Sequence, residues 1–144
     1  MNKQYIYNLI AFSEKYIDAQ DQYTKIDKIL SKMSRQECRQ YYEEHKDIFD
    51  NIKKETSIGK TYRGSFTDLD MLVKIIESQD DPYGLCEGYY NYLLIERYDA
   101  NRIDGCCFGE EGCEIWYRSE YDSENFKYVR IEKPEGMKRL VNFT

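Results

Sequence analysis

Lysine is absent from fifty-two consecutive residues of this 144-residue chain, from Ile75 to Phe126. An ordinary soluble surface intersperses both signs of charge, so a gap of that length marks a region with its own electrostatic character. Histidine is almost missing as well, with His45 standing alone, which excludes a histidine acid–base pair of the ribonuclease type. His45 falls on an apolar stripe with Tyr41 and Phe49 one turn away, the setting of a satisfied core or boundary imidazole rather than a general base. Long hydrophobic runs are also lacking. No stretch approaches the roughly eighteen apolar residues of a membrane span, and Glu14, Lys15 and Asp18 interrupt what would otherwise be a signal peptide's apolar core. The expectation is a cytoplasmic protein with no membrane contact.

Cysteines number five, an odd count without even spacing, which fits reduced thiols better than a secreted disulfide framework. Cys106, Cys107 and Cys113, with Cys86 upstream, lack the paired ligand spacing of a structural zinc site, so no metal is expected. An anionic neighbourhood also works against a nucleophilic thiolate there. The glycines Gly105, Gly109 and Gly112 are followed by no lysine, and Glu110 and Glu111 would repel an anion, so they mark a turn and not a phosphate cradle. Ser13, Ser57, Ser65 and Ser119 have no nucleophile-elbow setting. No cofactor is expected, and no catalytic residue is assigned. The net charge of −6 and the absence of a concentrated basic patch exclude nucleic acid as a partner. The tyrosine series Tyr89, Tyr90, Tyr92 and Tyr98 is therefore read as core packing and protein contact, because base stacking needs a basic groove beside it.

The lysine-free block carries thirteen carboxylates against three arginines, a local balance of about −10 while the remainder of the chain is mildly positive. Ten aromatic residues run through it, including the only tryptophan, Trp116. That is too apolar for a simple acidic tail. Trp116, Tyr117 and Tyr121 lie among Glu114, Glu120, Asp122 and Glu124, the mixture of aromatic anchor and charge found at electrostatically steered interfaces. Against this stands the plainer reading of a solvated sheet face with no partner.

Length bounds the chain to one domain. Its first half, about residues 1–80, reads as helical. Apolar positions at Ile6, Leu9, Ile10 and Ile17 predict a helix from Lys3 to Gln20, and Ile26, Ile29, Leu30 and Met33 predict a second, shorter one. Ser34 with Glu37 forms a capping-box signature. After it, Cys38, Tyr41, Tyr42, His45, Ile48, Phe49 and Ile52 mark a third helix at spacings of three and four. Residues 55–66, with two glycines and no period, read as a loop ending at Thr67, expected to cap a helix with its buried face at Leu69, Leu72, Val73 and Ile76. Pro82 stops that helix.

From about residue 83 the chain reads as strands. Tyr89–Tyr98 is rich in aromatic and branched residues, a strand pattern that a buried helix would also fit. Glu114–Tyr121 and Phe126–Ile131 predict an antiparallel pair joined through Asp122-Ser123-Glu124-Asn125, and Leu140–Phe143 an added edge strand. The fold class expected is α+β, with N-terminal helices packed on one side of a C-terminal antiparallel sheet.

The run Glu114-Ile115-Trp116-Tyr117, then Tyr128, then Ile131-Glu132-Lys133-Pro134-Glu135 with Lys138, Val141, Asn142 and Phe143, resembles the C-terminal ends of small bacterial immunity proteins of contact-dependent growth inhibition and related polymorphic toxin systems. The resemblance covers the last third of the chain. It implies a cytosolic protein that binds one cognate toxin domain, and such toxins are often nucleases with basic clefts. Composition adds the complementary surface, and the residues expected to make it are Asp80, Asp81, Glu87, Glu110, Glu111, Glu114, Glu120 and Asp122 as charge donors, with Trp116 and Tyr121 as anchors. Two other classes remain open: a small acidic regulatory adaptor or phage-type inhibitor of a nucleic-acid-binding protein, and an enzyme with a carboxylate or His45 site.

Overall fold

In a computed structural model of the chain we describe residues 4–78, 91–99, 114–122 and 125–137, with the backbone alone at 121, 122, 125 and 126. The fold is α+β, with four helices and a five-stranded antiparallel sheet among the described residues. The chain divides into two compact units, Met1–Ser13 with Thr61–Lys133 and Glu14–Lys60 with Pro134–Thr144.

The first unit holds the sheet. Its strands are β1 (Tyr5–Phe12), β2 (Lys60–Phe66), β3 (Tyr92–Asp99), β4 (Glu114–Asp122) and β5 (Asn125–Ile131), in the order β2-β1-β3-β4-β5. The sheet is thus not confined to the C-terminal half: the first strand of the sequence lies second in the sheet. Tyr5–Phe12 was expected to be helical because Ile6, Leu9 and Ile10 fall at helical spacings. The strand hides its period because it is buried on both faces. Leu9 and Ala11 point to one side, Ile10 and Phe12 to the other, and all four are buried. A strand covered on both sides reads as a continuous apolar run. β3 behaves alike, with Tyr92, Leu93, Leu94 and Ile95 all buried, and it is a strand, not a helix.

β2 was expected to be loop. It is a short strand whose Gly64 sits at φ 142°, a conformation that residues with a Cβ rarely adopt, and this glycine interrupts the alternation that would mark it. β4 and β5 pair from Trp116↔Ile131 to Asp122↔Asn125, so only two residues lie between them where a four-residue connection was expected. The expected edge strand at Leu140–Phe143 and the turns around Pro82 and Gly105–Gly112 lie outside the described residues.

Helix α4 (Leu69–Glu77) packs on one face of this sheet. Leu72 and Ile76 join Leu9, Ala11, Leu93, Ile95, Tyr117 and Tyr128 in a single core cluster, with Leu69 and Val73 against it, as the periodicity predicts. Each fully buried aliphatic side chain there contributes about 1.5–3 kcal/mol. The cap is Asp68 rather than Thr67: its carboxylate accepts from the Met71 amide at 3.1 Å, which satisfies an orphan donor and sets a negative charge against the positive end of the helix dipole.

The second unit is helical. α1 (Glu14–Leu30), α2 (Arg35–Glu44) and α3 (Lys46–Ile58) share a core of Ala19, Ile26 and Ile52, with Tyr23, Leu30, Tyr41, Ile48 and Phe49 packed around it. The two helices expected over residues 3–33 are one, starting only after Ser13. α2 opens with the predicted capping box, Glu37 N–H donating to Ser34 Oγ and Ser34 N–H to Glu37 Oε1, both at 3.2 Å. The long helix expected after it is interrupted at His45. A 3₁₀ turn, Glu135–Met137, lies against α1, where the Thr24 hydroxyl donates to the Gly136 carbonyl at 3.0 Å.

Candidate protein-binding site

Pairing in register fixes which side chains of the acidic block meet. Asn8 on β1 is opposite Glu96 on β3, and Glu96 is opposite Glu114 on β4. Opposed residues of an antiparallel pair share a face, so Glu96 and Glu114 lie on one face at the end of the β3–β4 ladder. Like charges directly opposite one another destabilise a sheet, and the surrounding groups show how this one accommodates them. The Tyr98 hydroxyl donates to Glu96 Oε2. Lys133 Nζ lies 2.8 Å from Glu114 Oε2, and the Trp116 indole N–H donates weakly to the same oxygen at 3.4 Å. At the other end of the row, the Ser65 hydroxyl of β2 donates to Asn8 Oδ1 at 2.6 Å, and the Tyr62 hydroxyl is bonded to Ser65.

The result is a polar ribbon across four strands, Ser65–Asn8–Glu96–Glu114, ending on Lys133. Asn8 and Glu96 are half-buried and Glu114 is exposed. The ribbon holds two carboxylates, and Lys133 pairs with one of them. Chemically it can accept hydrogen bonds from an ammonium or guanidinium group, and Asn8 adds an amide that can donate.

Of the expected contact residues, Glu114 lies in this ribbon and Glu120 is exposed on the same strand, opposite Lys127 of β5. Trp116 is placed differently from expectation. It is 2% exposed and stacked on Phe12, ring centroids 5.5 Å apart, so it is an interior residue and not a surface anchor. Position 116 is in register with Leu94 and, through it, with Ile10, both buried, so the ring enters the sheet's interior although Glu114 shares its face. Only the indole N–H reaches the polar ribbon, where it helps hold Glu114. Tyr121 and Asp122 lie at the end of β4, with backbones paired to Phe126 and Asn125. Asp80, Asp81, Glu87, Glu110 and Glu111 lie outside the described residues.

The opposite face carries a second polar group. The Tyr117 hydroxyl donates to Glu77 Oε1 at 3.1 Å and accepts from Arg130 Nη2 at 3.2 Å, while Arg130 and Glu77 are 3.4 Å apart. Burial pushes the Tyr117 phenol above its usual value, partly offset by the Arg130 guanidinium. This triad ties the last turn of α4 to β4 and β5. It is a structural latch whose three members satisfy one another.

The sequence reading passed over Asn8 and Glu96 as contact residues. Glu96 belongs to the acidic block, but nothing in sequence spacing sets it beside Glu114, eighteen positions on. Asn8 was hidden in a segment read as helix. Among the described residues, no group of three or more histidine, cysteine, aspartate or glutamate side chains is placed to hold a metal ion, and no helix is long and apolar enough to cross a membrane. His45 is half-buried, its ring stacked on Tyr41 at 4.0 Å with Nδ1 donating to the Tyr41 carbonyl at 2.9 Å. Comparison of the chain with protein-family models, curated proteins and solved structures finds no match.

Proposed function

We propose that this chain is a non-enzymatic binding protein of the immunity type, which holds a basic toxin domain, such as a nuclease, on the acidic side of its sheet. The observation that carries the reading is the Glu96–Glu114 pair. Glu96 and Glu114 share a face of adjacent strands, and a basic surface seated on them would meet two carboxylates with Lys133 beside one of them, the kind of complementarity that steers and orients a basic partner. The excess of carboxylates in residues 75–126 supplies long-range steering toward such a partner. The sequence resemblance of the last third is a separate support. Its Trp116, Tyr117 and Tyr128 are core residues, so it speaks for a shared framework and not for shared contacts.

The test is binding of the product of the gene immediately upstream, measured by titration at low and moderate salt. Glu96→Lys and Glu114→Lys should each weaken association by at least tenfold and flatten the salt dependence. Lys25→Glu on α1, whose side chain is 73% exposed and paired with Asp21, should change neither. Equal losses from both sets would overturn the assignment of the site.

A further inference from the structure

The helical unit contains a break that its sequence does not require. Cys38, Tyr41, Tyr42, His45, Ile48, Phe49 and Ile52 keep helical spacing straight through the junction of α2 and α3, yet the helix stops at Glu44 and restarts at Lys46. Sharp breaks are almost always caused by proline, by glycine or serine pairs, by π-bulges, or by a group inserted into the hydrogen-bond ladder. Glu43-Glu44-His45-Lys46-Asp47 contains no proline, glycine or serine. The ring of His45 is the added group: its Nδ1–H donates at 2.9 Å to the Tyr41 carbonyl, which already accepts the ordinary helical bond from the His45 backbone N–H at 3.0 Å, while φ −118° and ψ 29° carry the chain out of the helix.

A second set of contacts exists only because of the bend. Phe49 meets the Tyr42 ring at 5.0 Å and the Tyr41 ring edge-on at 6.3 Å. In a straight helix, residues seven and eight apart are separated by about 10–12 Å along the axis, too far for these contacts. What the bend gives up is equally visible. α3 begins without a side-chain cap, so its first amides lose the carbonyls of Tyr42, Glu43 and Glu44 that a continuous helix would offer them. α2 has no buried residue. Its Tyr42 is 49% exposed and forms one wall of an open groove of ≈ 410 Å³, lined also by Tyr23, Phe49 and Ile52.

We infer that His45 is a hinge and that α2 is an arm with two arrangements. In the bent one, seen here, the His45–Tyr41 stack and the Phe49 contacts hold α2 against the groove. In the extended one, Arg35–Ile58 forms a single helix and the groove between Tyr23, Phe49 and Ile52 loses its Tyr42 wall. Three ring contacts, the His45 ring bond, the Cys38 Sγ–Leu30 carbonyl bond at 3.4 Å and the packing of Tyr41 on the Ala19–Ile26–Ile52 core oppose a few backbone hydrogen bonds, so the bent arrangement is the major state and the extended one the minor state.

Nitroxides carried on ketone-bearing residues placed at Gln36 and Ser57, both exposed, would read the two arrangements in the full chain without touching its cysteines. A continuous helix sets the two backbone positions about 32 Å apart. The native chain should show a dominant shorter distance. His45→Ala with Phe49→Ala should move the main population to the helical distance, with helical circular dichroism retained or raised. His45→Ala alone, a milder change that leaves the aromatic cluster in place, should give both distances. Retention of the native distance in both variants would overturn the hinge, as would loss of helical signal in the single variant.

Discussion

Tyr117→Phe tests the latch between α4 and the sheet with the smallest possible change. The ring stays, so no cavity forms, and only the hydroxyl between Glu77 and Arg130 is removed. A hydrogen bond to a charged group is worth roughly 1.5–3 kcal/mol. Glu77 and Arg130 are, however, about half exposed and remain 3.4 Å apart, so water and their mutual attraction recover part of the loss. The expected net cost is about 1–2 kcal/mol by the same reasoning. Urea unfolding should show it as a lower midpoint with an unchanged slope. The pH dependence gives an independent reading. Burial raises the phenol above its usual value of 10.0, so the folded chain holds that proton where the unfolded chain has released it. Both forms are protonated below pH 10, and the contribution of this group to stability is then lost as pH rises through the folded value. Native stability should fall more steeply above pH 10 than that of Tyr117→Phe. A variant as stable as the native chain at pH 7, or one with the same alkaline slope, would refute the latch.

Other outcomes follow from single contacts. Gly136→Ala should be among the most damaging small changes, because a Cβ there would stand 2.4 Å from the Asp21 amide nitrogen of α1; thermal melting should show a loss of about 1–3 kcal/mol or more, the cost of overpacking. Ser34→Ala removes half of the capping box and should cost about 1 kcal/mol, read by the same melts. Trp116→Ala should cost about 3–5 kcal/mol, so any loss of binding it causes must be read beside circular dichroism, whereas Glu96→Gln should leave the melting temperature unchanged or raised.

Much of the architecture was legible where one face of an element is wet. The capping box at Ser34 and the buried stripe of α4 announce themselves through a local cap signal and a one-sided apolar period, and the β4–β5 hairpin through its aromatic and branched residues on either side of a polar turn. β1 was misread for the opposite reason: with Leu9 and Ala11 buried on one face and Ile10 and Phe12 on the other, no alternation survives. The break at His45 was invisible because it is made by a ring bond and by tertiary contact with Phe49, neither of which alters the spacing. The candidate site was half legible. Charge counting located the block, but the side-by-side placement of Glu96 and Glu114 is a property of strand register, and the burial of Trp116 is set by which row of the sheet it enters.

The most direct test of the central proposal is growth of cells expressing the product of the upstream gene, alone, with this chain, and with its Glu96→Lys/Glu114→Lys variant, together with co-purification of each pair. The account predicts arrested growth alone, rescue and a stable complex with the native chain, and loss of both with a variant that remains folded. Rescue and complex formation undiminished by the double reversal, or no complex with the native chain, would contradict it.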